Sequence, residues 1–99
     1  MATIEEITER MRERFATSDF DSKIKFDFGG DGLIHVDGSR RPPAVSNADA
    51  EADCTIKIAL ADFLDLVKGE LNPTTAFMMG KLKVDGSMAV ALKLAGILG

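Results

Sequence analysis

The sequence predicts an α+β domain in which a mostly antiparallel sheet carries its helices on one face. Three observations predict it. Apolar residues alternate with polar ones at Ile24, Phe26 and Phe28, again at Cys54, Ile56 and Ile58, and at Leu82 and Val84, the period of strands with one wet face. Around these strands lie stretches of helical period, several of which open on a capping Thr, Asn or Ser. A chain of 99 residues, 45% apolar and 28% charged, fits one compact domain spanning residues 1–99 and leaves no room for a second.

Thr3 followed by Glu6 is a capping box, and Ile4, Ile7, Met11 and Phe15 recur at spacings of 3, 4 and 4, so a first helix is expected over Ile4 to Ala16. Glu6, Arg10 and Arg14 share one of its faces and read as solvated. From Lys23 to Val36 the alternation runs through Ile24, Phe26 and Phe28, turns at Gly29 to Gly32, and resumes at Ile34 and Val36, which is a β-hairpin. Arg40 to Asp53, with Pro42 and Pro43 and no clear period, reads as a loop holding an edge strand around Ala44 to Ser46. Cys54 to Ile58 is the next strand.

Leu60, Phe63, Leu64 and Val67 mark a helix to Lys68, and Gly69 stands where a left-handed cap belongs. Asn72 and Pro73 supply a capping side chain and a proline at the first helical position, so a short helix is expected to end near Gly80. Leu82 and Val84 form the last strand, Gly86 turns the chain, and Ser87 caps a final helix from Met88 to Leu98. Consecutive strands in this order favour antiparallel pairing.

Composition removes several classes of function. Twelve Lys and Arg against sixteen Asp and Glu give a net charge of −4, the wrong sign for a phosphate-holding surface, so no nucleic-acid partner is expected. Cys54 is the sole cysteine and cannot form an internal disulfide; with His35 it makes two candidate ligands where structural zinc takes four, so no metal is expected. Met1 to Arg14 interleaves four Glu with three Arg, unlike a signal or transit peptide, and a cytoplasmic location is expected. The longest apolar run, Met88 to Leu98, is too short at about 1.5 Å per residue for the roughly 30 Å of a bilayer core.

Catalytic constellations are thin. His35 is out of phase with Ile34 and Val36, so it is expected on the solvent side as an ordinary surface residue. Cys54 is in phase with Ile56 and Ile58 and reads as a buried, inert thiol. Asp62 and Asp65 fit a wet helical face, and Gly29, Gly30 and Gly32 lack the context of a dinucleotide loop. The last helix departs from an ordinary surface helix: Met88, Ala89, Val90, Ala91, Leu92, Leu94, Ala95, Ile97 and Leu98 leave Lys93 as its only charge. Met78 and Met79 stand close by in sequence, and methionine conforms to irregular apolar surfaces. On pattern alone this cluster fits three readings, of which plain core is the commonest, an apolar ligand site the second and a dimer interface the third.

The stretch Phe63 to Leu94 resembles the second half of the sterol carrier protein 2 family of lipid-binding domains, most closely its small stand-alone prokaryotic members. The resemblance rests on Gly69, Asn72, Pro73, Ala76 and Phe77, then Gly80, Lys81, Leu82, Lys83, Val84, Gly86, Met88 and Leu92 at fixed spacing, with Ala52 to Ile58 resembling the strand before the helix. It implies a five-stranded, mainly antiparallel sheet covered by helices, with an apolar tunnel between them. Phe63, Val67, Phe77, Met78, Met88 and Leu92 would line that tunnel, and Phe26, Phe28, Ile34, Leu82 and Val84 would form its floor. The chain closes on Ile97, Leu98 and Gly99 rather than on a peroxisomal targeting tripeptide, so delivery by that route is not expected.

The resemblance therefore implies a non-catalytic intracellular carrier, without a cofactor, whose partner is a fatty acid, acyl-CoA, sterol-like or isoprenoid lipid, working as a monomer or weak homodimer with transient membrane contact. The alternative it implies is an accessory module that presents lipid substrates to a partner enzyme, for instance in isoprenoid-quinone synthesis. Lys81, Lys83 and Lys93 are placed to draw in an anionic head group, against the plainer reading of three solvated lysines.

Overall fold

A computed structural model describes the backbone of residues 3–98 and the side chains of residues 3–94. Among the described residues the order is α1 (Ile4–Phe15), β1 (Lys23–Asp27), β2 (Leu33–Asp37), β3 (Ala44–Ser46), β4 (Cys54–Ile58), α2 (Leu60–Lys68), α3 (Pro73–Met78), β5 (Leu82–Gly86) and α4 (Met88–Leu98), with a short 3-10 turn at Gly29–Asp31. Ala95, Ile97 and Leu98, counted above in the apolar surface of the last helix, lie outside the described side chains.

Local chemistry sets the helix ends. The Glu6 N–H donates to Thr3 Oγ1 at 3.2 Å at the start of α1. The Asn72 side-chain oxygen accepts from the Thr74 and Thr75 N–H groups at 2.9 and 3.3 Å, beside Pro73 at the first turn of α3. Ser87 Oγ accepts from Val90 N–H at 3.3 Å. Gly69 ends α2 in the left-handed region at φ +79°, as its place in the sequence demands.

The sheet has the order β3-β2-β1-β4-β5. Three of its pairings are antiparallel and one, β1 with β4, is parallel. The register lines up apolar side chains in rows across the strands: Ile34, Phe26, Ile56 and Val84 form one row, and Val45, Val36, Ile24 and Cys54 another. Alternation places both rows on the face that the helices cover. α1 buries Ile7, Met11 and Phe15 in the same core as these rows, and α2 buries Phe63 and Leu66.

The other face carries the polar phase of the strands, and residues 47–53 run across it. Lys25 Nζ on β1 meets Asp49 at 2.6 Å, and the His35 Nε2–H on β2 donates to the Glu51 carbonyl at 2.7 Å. His35 therefore departs from its expected place: it does lie opposite Ile34 and Val36, yet the loop covers it and it is buried. Asn47 anchors the start of that loop, its amide donating to Thr8 Oγ1 at 3.0 Å and to the Leu33 carbonyl at 2.9 Å.

Candidate functional site

A cavity of about 240 Å³ opens between the sheet and the last three helices. Its floor is Phe26, Ile56, Leu82 and Val84, supplied by β1, β4 and β5. Phe63 and Leu66 of α2 form one wall, Pro73, Thr74 and Phe77 of α3 another, and Met88, Ala91, Leu92 and Leu94 of α4 close the remaining side. No charged side chain lines it, and Thr74 is the one lining residue with a polar side-chain atom. Phe63 is held in place by Phe26 and Phe28, its ring centroid 5.0 Å from each.

Seven of the residues expected to line an apolar site meet around this cavity: Phe26, Phe63, Phe77, Leu82, Val84, Met88 and Leu92. Four do not. Phe28 is buried against the outer side of Phe63, and Ile34 is fully buried one strand away, paired with Phe26. Val67 packs on the core edge beside the inward stripe of Phe63 and Leu66. Met78 is 80% exposed, because α3 turns Ala76 inward and a helix of 3.6 residues per turn then carries Met78 to the opposite side.

Ile56, Leu66, Pro73, Thr74, Ala91 and Leu94 also line the cavity and were not among the lining residues that the resemblance implied. Ile56 carried a signal, since it is the middle apolar residue of a strand flanked by two others. Leu94 and Ala91 carried none, because an all-apolar helix offers no polar face from which its inward side can be read.

Around the mouth the apolar surface stays in contact with solvent. Phe77 and Met88 are about half-exposed, Met79 more so, and Leu92 is 69% exposed. Two of the three lysines read as head-group candidates have carboxylate neighbours: Lys81 Nζ lies 3.9 Å from Asp62, and Lys93 Nζ lies 3.4 Å from Asp21, whose carboxyl it holds below the ordinary range. Lys83 faces Lys57 across the β4–β5 pair, beside a separate depression at the end of the sheet.

Groups that do acid–base or nucleophilic chemistry are absent from the lining. His35 is on the far face, Asp62 is beside Lys81, and Cys54 is buried, with burial first and then Asp85 and Asp53 pushing its thiol above the usual value. Among the described residues no group of three or more His, Cys, Asp or Glu is arranged to hold a metal ion. No helix of the described residues is long and apolar enough to cross a membrane. The arrangement can take up hydrocarbon and offers a bound molecule almost no polar contact.

Comparison with known proteins gives one family and one fold. The model of the SCP-2 sterol transfer family matches residues 5–99. Sterol carrier protein 2 of Gallus gallus is 43% identical over 81 residues, 79% of this chain, and that of Bos taurus is 51% identical over 51 residues, 52% of this chain. The matches span 15% and 9% of the length of those relatives. Among solved structures, the apo form of sterol carrier protein 2 from Yarrowia lipolytica superposes with a TM-score of 0.77 at 24% identity, covering 94% of this chain and 87% of that one. Palmitated SCP2L2 from Aedes aegypti gives 0.73 at 23% identity over 98% of this chain and 95% of that one. The UbiJ-SCP2 ubiquinone synthesis protein gives 0.69 at 17% identity over 93% and 84%. These likenesses show the α+β fold with its mostly antiparallel five-stranded sheet.

Proposed function

The chain belongs to the SCP-2 sterol transfer family, and on that premise we propose that it is a non-catalytic lipid carrier, with residues 1–99 as one binding module. The hydrocarbon part of a fatty acyl, sterol-like or isoprenoid lipid enters the cavity between the sheet and α2, α3 and α4. The observation that carries this reading is the lining itself, without a charged side chain and with Thr74 as its one polar member. Each methylene moved from water into such a space gains about 0.8 kcal/mol.

The volume also bears on how a ligand fits. Ligand pockets commonly start at about 300 Å³, so a long chain needs the walls to move outward. α3 is the movable wall, because it has only six residues. The palmitated form of the Aedes aegypti neighbour supports a fatty acyl chain as one ligand class. The ubiquinone-synthesis neighbour supports a second reading, in which the module presents an isoprenoid lipid to a partner enzyme.

Native mass spectrometry of freshly purified protein, followed by organic extraction, tests the proposal. A stoichiometric lipid is expected, and Phe77→Asp is expected to fold and to lose affinity for a fluorescent fatty-acyl probe. A clean unliganded mass together with no probe binding by the unaltered chain would overturn it.

A further inference from the structure

We propose that β5 is a pairing edge for a second copy of this chain: two β5 strands join antiparallel about a two-fold axis at Val84 and make one continuous sheet of both copies. The surface is one that the carrier reading does not use, and the inference stands independently of it. Among the described residues β5 and β3 are the two outer strands of the sheet. The β3 edge is blunted, because that strand has three residues, follows Pro42 and Pro43, and already gives the Val45 carbonyl to Arg12 Nε of α1 at 3.1 Å. β5 has five residues and no proline.

The pairing with β4 decides which backbone groups of β5 are open. Ser87 N–H donates to the Asp53 carbonyl at 2.9 Å, one step beyond the Cys54–Gly86 pair. Bonded and non-bonded pairs alternate along an antiparallel ladder, so Thr55–Asp85 and Lys57–Lys83 are the bonded pairs, and the backbone groups of Leu82, Val84 and Gly86 point away from β4. A second β5 can therefore pair only where these residues meet their like. With Val84 opposite Val84, Leu82 meets Gly86 and Lys83 stands opposite the second copy's Asp85 on both sides of the axis. Those are non-bonded positions, where side chains come closest. Sliding one strand by two residues sets Lys83 against Lys83 or Asp85 against Asp85, so charge selects the centred register. Within one copy Lys83 faces Lys57 and Asp85 faces Thr55, and neither meets an opposite charge on β4. Lysines on an edge ordinarily repel other strands; alternation with Asp85 makes this edge complementary to itself.

The same register accounts for the exposed apolar side chains. Phe77, Met78, Met79, Met88 and Leu92 lie on or directly after α3 and on α4, the two helices that pack against β5. With Gly86 level with Leu82 of the second copy, the start of α4 in one copy comes level with the end of α3 in the other. Met88 of one copy then approaches Met78 and Met79 of the other, which removes apolar surface from water.

Sedimentation velocity over a range of protein concentration tests the proposal, with thermal unfolding followed by circular dichroism to establish that each variant folds. The unaltered chain is expected to show a reversible monomer–dimer equilibrium. Asp85→Lys and Lys83→Asp each place like charges across the seam twice and are expected to weaken the dimer about tenfold, whereas the two changes combined restore opposite charges and are expected to return it to within about twofold. Lys83→Cys with Asp85→Cys is expected to give a disulfide-linked dimer on mild oxidation, since non-bonded pairs hold their Cα atoms about 4.5 Å apart, inside disulfide range. A monomer at every concentration would overturn the proposal. So would a dimer that Met79→Glu abolishes but both charge changes leave intact, which would place the contact on the helices alone. Single changes that weaken the dimer without rescue by the combined variant, or the absence of the linked dimer, would overturn the register.

Discussion

The ring of Phe63 on α2 stands 5.0 Å from the ring of Phe26 on β1, the two planes tilted by 51°. Both residues also line the cavity, so this pair is at once the joint that fastens α2 to the sheet and a piece of the proposed binding surface. On the proposed function, a change at this pair is therefore expected to alter stability and ligand affinity together.

Phe63→Ala is accordingly expected to lower stability by about 3–5 kcal/mol, the usual cost of removing a buried phenyl group. Urea unfolding with and without a saturating fatty-acyl ligand measures it. Part of the loss is expected to return with ligand, because a molecule bound only to the native state stabilises that state. An undiminished midpoint in the absence of ligand would show that the ring is not part of the core.

Ala91→Phe reverses the experiment by filling space. Ala91 is partly buried and lines the cavity, and a phenyl ring there occupies volume that a ligand would otherwise take. Probe affinity is expected to fall at least about tenfold, or about 1.4 kcal/mol, while the melting temperature without ligand stays level or rises. Unchanged probe affinity would place the ligand elsewhere.

Acid is expected to act through three surface carboxylates. Asp49 is held below its ordinary value of 3.8 by the hydrogen bond and charge of Lys25, Asp37 by the Ser39 hydroxyl and N–H, and Asp21 by Lys93. A depressed carboxylate stabilises the fold fully above its unfolded value and loses that contribution as pH falls through its folded value. The melting temperature is therefore expected to drop as pH is lowered from 3.8 downward, and Asp49→Asn to flatten part of that slope. The loop over His35 should loosen first, which amide exchange at residues 47–53 would report.

Gly86 is predicted to reject a side chain. Its φ is +103°, and a Cβ there would stand 2.6 Å from the Asp53 carbonyl oxygen, which accepts from Ser87 N–H at 2.9 Å. Gly86→Ala is expected to cost about 1–3 kcal/mol from conformation alone. Gly30→Ala, with open space around the new methyl group, serves as the control and is expected within about 0.5 kcal/mol of the unaltered chain.

Much of the fold is legible in the sequence because the signals are local. Thr3, Asn72, Ser87 and Gly69 are found at the helix ends where their side chains or, for Gly69, its left-handed backbone place them. The edge strand Ala44–Ser46 could be placed because Pro42 and Pro43 bar anything more central. What local chemistry could not give is how distant segments meet. The parallel β1–β4 pairing, and the burial of His35 by residues 47–53, follow from where the chain goes after β3 rather than from the period of any strand.

The site was partly legible through the resemblance rather than through local period: it implied Phe26, Phe63 and Leu82 as lining, and all three line the cavity. Met78 was drawn in by the company of Phe77 and Met79, whereas the turn of α3 sends it to solvent. Leu66 was passed over because the spacing of Leu60, Phe63, Leu64 and Val67 admits two neighbouring stripes on α2, and only packing against the sheet chooses between them.

The parallel pairing also orders events in time. Ile24 meets Cys54 thirty positions along the chain, whereas β1, β2 and β3 can zip together as soon as Ser46 has left the ribosome. Until Cys54 to Ile58 emerges, one side of β1 is an open edge, a template for any stray strand. Phe26 belongs to this early half and the helical walls of the cavity to the late half, so the cavity itself does not exist until α4 is made.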